Sequence, residues 1–286
     1  MQRQSSEESS SSSQSRMPVS VTLLSTNFVV LSNSDRGLSQ LLVRFSPSEP
    51  SESLSSAIER PMEVPTEAHG HNHWNPYVDT GGTSLAIAGE DFVLVASDTR
   101  QSDGYNINTR YDSKAFELSN KTVLALSMCS ADGKRLYEVL EQRAQLYFHK
   151  HDKPIGTEAL AQLLSNTLYS RRMFPYYVFP ILAGITADGK GVAYSYDALG
   201  NMKDVTHIAY GSASALVQPF LDNQVGFANQ RNADPNRRLT RDQAMRVAID
   251  AFTGSTERDI YTGDWLELFI IDANGVHKEV RELKHD

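Results

Sequence analysis

The order of strand and helix signals along the chain predicts an α+β fold, and a four-layer sandwich of two sheets between two pairs of helices accommodates that order. Three observations carry the expectation. Apolar runs of strand length recur in three groups, a pair of helical stretches separates each group from the next, and Gly- or Asn-bearing turns punctuate the strands.

The regular pattern begins at about Trp74. Residues 84–88 and 92–97 read as strands joined at Gly89-Glu90-Asp91, a tight-turn composition. Residues 114–118 and 122–127 read as a second hairpin turning at Ser119-Asn120. The period then changes. Leu136, Val139, Leu140 and Tyr147 recur at helical spacing within 132–149, as do Leu160, Leu163, Leu164 and Leu168 within 157–172. Strands return at 176–185, at 192–196 beyond the turn Asp188-Gly189-Lys190-Gly191, and at 206–210. Helical patterns follow at 214–227 and 240–253, and the chain closes on strands 265–272 and 276–283 about the turn Ala273-Asn274-Gly275.

Residues 1–73 differ from this folded domain, 74–286. They open with a Ser/Gln/Glu run and continue through Ser- and Pro-bearing segments, which bury too little apolar surface to offset chain entropy. They read as a flexible extension, within which 19–45 alternates enough to form a strand or two against something else. His69, His71 and His73 would share one face of an extended chain. No carboxylate or thiolate set accompanies them, so a polar linker is preferred to a metal site.

Composition excludes several classes. A net charge of -8 without a basic stripe gives no reason to expect nucleic acid. No stretch approaches the ~20 apolar residues that span a bilayer, and residues 1–16 lack the charged-then-apolar order of a secretory signal. The single cysteine, Cys129, reads as a small buried hydrophobe in a reducing compartment, since no nearby His would activate it. The expected location is cytoplasmic and nuclear.

The motifs are more specific. Gly81-Gly82-Thr83-Ser84-Leu85-Ala86, followed by Val95-Ala96-Ser97-Asp98-Thr99-Arg100, resembles the start of proteasome beta subunits, in which a Gly-Thr bond is cut to free an N-terminal threonine. Lys114, the segment Gly211-Ser212-Ala213-Ser214 and the run from Glu257 through Asp259 and Thr262 to Asp264 continue the resemblance to the end of the chain. It implies the four-layer αββα sandwich of the N-terminal nucleophile hydrolases. The segments 169–178 and 219–227 resemble members at the sixth, non-catalytic position of the beta ring in particular.

The resemblance implies a structural subunit that completes the beta rings of a 20S particle degrading ubiquitinated and unfolded proteins. Its implied partners are seven alpha-type subunits and the other beta-type subunits in an assembly of twenty-eight chains, with a regulatory particle on the alpha rings. It implies no cofactor and no metal. The resemblance implies trimming in trans, with a cut between about Thr66 and Trp74 leaving Asn75-Pro76-Tyr77-Val78 as an ordered arm; the alternative is a retained, ordered extension in which residues 19–45 act as a docking segment.

Register tests for activity. In active members the aspartate stands sixteen positions after the threonine and the lysine thirty-two, and counting back from Asp98 and from Lys114 lands both times on Gly82. Glycine has no hydroxyl with which to attack a peptide carbonyl. Thr83, the alternative nucleophile, is one residue out of register, and on a strand that turns its side chain to the opposite face. No catalytic residue is therefore expected. Asp98 and Lys114 are expected as a vestigial ion pair, and Ser212, Asp259 and Thr262 as a vestigial hydrogen-bonded cluster. Met128 stands where active members keep a glycine beside the oxyanion position, which its side chain should crowd. An active threonine endopeptidase using Thr83, and a free-standing amidohydrolase or binding module on the same fold, are the competing readings.

Overall fold

The computed structural model of the chain describes residues 21–24, 28–31, 75–231 and 237–286. The chain divides into two compact units, Met1–His73 and Trp74–Asp286. In the first, β1 (Val21–Leu24) pairs antiparallel with β2 (Phe28–Leu31), with Val21 opposite Leu31 and Leu24 opposite Phe28. The strands expected within 19–45 thus find their partners in each other. His69, His71, His73 and the expected cleavage stretch 66–74 lie outside the described residues.

In the second unit, β3 (Thr83–Ala88) and β4 (Val93–Asp98) lie at the middle of one sheet. Its order is β12-β3-β4-β13-β14, completed by β12 (His207–Gly211), β13 (Trp265–Asp272) and β14 (Gly275–Glu282). The second sheet runs β11-β10-β9-β8-β7. It comprises β7 (Ala115–Ser119), β8 (Thr122–Met128), β9 (Val178–Ile185), β10 (Gly191–Tyr196) and β11 (Met202–Val205). Every pairing in both sheets is antiparallel.

Strand side chains sort by size between two faces. On the first sheet Leu85, Ile87, Leu94, Leu266 and Leu268 point outward onto α3 (Ser214–Gln224) and α4 (Arg241–Thr256), meeting Val217, Leu221, Ala248 and Phe252. On the second, Leu124, Leu126 and Leu182 point outward onto α1 (Ser130–His151) and α2 (Thr157–Tyr169), meeting Leu136, Leu140, Leu160 and Leu164. The alternate residues Ala86, Val93, Val95, Val123, Ala125, Ile181 and Ala183 form the layer between the sheets, together with Phe269 and Ile271. Because both faces of each sheet are covered, the central strands read as continuous apolar runs rather than alternating ones. Each fully buried Leu or Ile contributes on the order of 2 kcal/mol. The result is the expected four-layer α+β sandwich.

The differences from the sequence reading have local causes. The hairpin β5 (Gln101–Asp103) and β6 (Asn106–Thr109), and the edge strand β11, carry too few apolar side chains to register as strands. The helix expected to reach 172 stops at Tyr169, because residues 171–174 fold into successive tight turns: Arg171 N–H bonds Leu168 O, and Phe174 N–H bonds Arg171 O. The helix expected to reach 227 stops at Gln224, since Phe227 has a left-handed φ of 52°. In contrast α4 runs on to Thr256, starting from a capping box in which Thr240 and Gln243 exchange side-chain-to-backbone bonds.

Candidate functional site

The candidate site lies where β3 begins, and glycine geometry explains why the chain can enter the sheet there. Gly82 has φ +81°, and its N–H donates to Tyr261 O at 3.1 Å. Its carbonyl accepts from Ser212 N–H at 3.0 Å. That approach needs Gly211, where any Cβ would stand 2.0 Å from Gly82 O. A Cβ on Gly82 would lie 2.0 Å from Lys114 Cε and 2.7 Å from Nζ. Position 82 therefore faces Lys114, and the lysine side chain fills the volume a residue there would need.

Asp98, at the end of β4, is completely buried. Its Oδ1 accepts from Thr83 N–H at 2.8 Å and stands 3.4 Å from Lys114 Nζ. Its Oδ2 accepts from the N–H groups of Arg100 at 3.3 Å and Gly263 at 3.2 Å. Burial pushes the Asp98 carboxyl up from the ordinary carboxylate range, while Lys114 and the three amides pull it down. Each of these four partners is a donor, so the site is built around the charged form. Lys114 Nζ also donates to Asp98 O at 3.1 Å and to Arg100 O at 2.7 Å.

Ser212 Oγ donates to Asp259 Oδ2 at 2.6 Å, and Thr262 Oγ1 donates to the same oxygen at 2.7 Å. Thr83 joins them. Its Oγ1 lies 2.8 Å from Thr262 Oγ1 and accepts from Ala213 N–H at 3.0 Å. The hydroxyl thus faces this cluster, whereas the Cβ direction of residue 82 faces Lys114. The register shift marks Thr83 as an uncut structural threonine facing away from Lys114, but sequence alone does not name Thr262 and Ala213 as its partners.

The segment ahead of Gly82 occupies the adjoining slot. Thr80 N–H and Oγ1 both donate to Met128 O, at 3.1 and 2.6 Å, and Ser102 N–H donates to Thr80 O at 3.0 Å. Tyr77, in the expected arm, donates its hydroxyl to Pro175 O at 2.7 Å and stacks on Phe174. Met128 keeps a left-handed φ of 88°, the conformation a glycine would adopt there without strain. The cavity lined by Thr80, Lys114, Met128 and Cys129 holds about 20 Å³, room for about one water molecule.

A second buried ion pair braces the site from behind. Arg100 donates Nε to Asp264 Oδ2 at 2.8 Å and Nη2 to Oδ1 at 3.2 Å, with both side chains almost fully buried. Arg110 and His285 also reach Asp264 Oδ1. Arg100 goes on to bond Ile260 O at 2.9 Å and Lys284 O at 3.3 Å, tying β4 to the loop that holds Asp259 and Thr262 and to the C-terminus. Charged residues beside an apolar strand were the only available clue.

Burial alone would raise the Asp264 carboxyl, but hydrogen bonds from Arg100, Arg110 and His285 outweigh it and hold the group below the usual carboxylate range. A depressed folded value means that the associated stability is complete above the unfolded value of about 4 and is lost as pH falls through the folded one. Urea unfolding followed from pH 7 to pH 3 should therefore show a falling midpoint. Asp264→Asn should remove part of that slope, and an unchanged slope would contradict the assignment.

Residues 78–271 match the family described as Proteasome subunit. The chain is 46% identical over 217 residues to Proteasome subunit beta type-1 of Drosophila melanogaster, covering 76% of this chain and 92% of that protein. It is 44% identical over 219 residues to the protein of the same name from Arabidopsis thaliana, covering 76% and 98%. It is 39% identical over 244 residues to Proteasome subunit beta type-6 of Saccharomyces cerevisiae, covering 82% and 98%.

Proposed function

The chain belongs to the proteasome subunit family, and from that premise we propose that it is a non-catalytic beta-type subunit of the 20S core particle. It completes the beta rings of the assembly that degrades ubiquitinated and unfolded proteins. Its partners are the alpha-type and other beta-type subunits, twenty-eight chains in all, with a regulatory particle on the alpha rings, in cytoplasm and nucleus.

One observation carries the non-catalytic reading: the nucleophile position is Gly82, and Lys114 occupies the space a side chain there would need. The surroundings agree. Asp98 and Lys114 neutralise each other within the fold, and Asp259 accepts from two hydroxyls that brace the loops around β3. These groups lock the start of β3 to the loops at 211–213 and 259–263.

Treating the native particle with a threonine-directed epoxyketone and recording intact subunit masses tests the reading. The mass of this chain should not change while catalytic chains gain the probe. An adduct on this chain, or a mature chain beginning at Thr83, would support the competing peptidase.

A further inference from the structure

We propose that the loop between α2 and β9 is a docking knob, which seats in an apolar socket rimmed by carboxylates on a neighbouring proteasome subunit. The proposal rests on reading the chain as a subunit of the particle. Residues 169–174, Tyr-Ser-Arg-Arg-Met-Phe, are all exposed, with Met173 at 93%, Tyr169 at 65% and Phe174 at 59%. Among the described residues, none of these six side chains enters an apolar core cluster. The core does not require them.

The loop is nevertheless held firmly. Arg171, Arg172 and Phe174 N–H groups bond Leu168, Tyr169 and Arg171 carbonyls in overlapping turns, and Ser170 Oγ donates to Thr167 O. Its return limb is pinned where Tyr177 N–H donates to Asp132 Oδ2 at 2.8 Å and Cys129 N–H donates to Tyr177 O at 3.1 Å. Tyr77 buttresses the limb through Pro175 O and the Phe174 ring. A knob already ordered loses little conformational entropy on binding.

Its composition is that of an interface centre. Met, Phe, Tyr and Arg are residue types enriched in such centres, and Tyr and Arg are also among the side chains that dominate binding energy. Large apolar side chains clustered in the open mark a surface that something else covers. Charge identifies the chemistry of the cover. Arg171 lies over the Tyr176 ring at 5.8 Å, and neither Arg171 nor Arg172 has a carboxylate partner among the described residues. Two guanidiniums beside Met173 and Phe174 call for a socket with apolar walls and an acidic rim, where bidentate carboxylate bonding is available.

The test uses full-length chain expressed with its partner subunits. A photoreactive amino acid at position 173 should give a cross-linked adduct with another subunit, identified by mass. Arg172→Glu combined with Met173→Asp should lower recovery of the chain in the particle at least tenfold, with its unfolding midpoint unchanged. A variant entering the particle at wild-type level overturns the knob, and so does a position 173 that yields no adduct. A lowered unfolding midpoint without an adduct also counts against it. If the unmodified chain itself fails to enter the particle, the ring-subunit reading falls instead.

Discussion

Asp264→Ala should destabilise the folded chain by about 3–5 kcal/mol, the range for removing one partner of a buried ion pair. Asp264 is fully buried and Arg100 is 2% exposed, so the substitution leaves a guanidinium with no carboxylate and little access to water. Arg100 would keep the carbonyls of Ile260 and Lys284, which accept hydrogen bonds but carry no charge. The backbone adds to the effect, because Asp264 has a left-handed φ of 72° that alanine adopts poorly. Asp264→Asn tolerates that conformation and still accepts one hydrogen bond, so its smaller loss separates charge from backbone strain. Urea unfolding of the two variants is the measurement. Equal losses would mean that the charge accounts for the whole effect and the backbone conformation for none of it.

Gly82→Thr places a hydroxyl at the position from which Asp98 and Lys114 are in register, and it should still yield no peptidase. A β-branched residue at φ +81° is strained by about 1–3 kcal/mol, and its Cβ meets Lys114 Cε at 2.0 Å. Displacing Lys114 would take its ammonium from Asp98 and from two backbone carbonyls, stranding a buried carboxylate. The combined loss should be on the order of 3 kcal/mol or more. Gly82→Ala, without the β-branch, should lose less. Epoxyketone labelling of particles that contain the Thr variant decides the matter, since an adduct on residue 82 would mean that the site is dormant rather than dismantled.

Much of the fold was legible because the sheets bury both faces. Runs such as Leu124-Ala125-Leu126 declare a strand whichever face is inspected, and the helical leucines of α1 and α2 repeat clearly. Short polar elements such as β5, β6 and β11 are fixed by the chain on either side of them rather than by their own side chains. In the site, the register implied by the family resemblance pointed to Gly82, because Asp98 and Lys114 stand sixteen and thirty-two positions after it. Arg100–Asp264 spans 164 positions, and His285 joins from the last turn of chain. No local pattern encodes such a contact. It exists only once the strands have paired.

The place of β13 within its sheet has a consequence for synthesis. β13 lies between β4 and β14, yet it is nearly the last strand to leave the ribosome. Until residues from Trp265 onward emerge, β4 presents a bare edge along its whole length, and that strand carries buried Leu94 and Val95. An unpaired apolar edge is a template for wrong pairing with other chains. The helices α1 and α2 and the sheet beneath them use contacts within the first 205 residues and can form earlier. The nascent subunit therefore passes through a stage with one half-domain built and the other open, at which a chaperone that shields β4 would do more for yield than one acting on the finished surface.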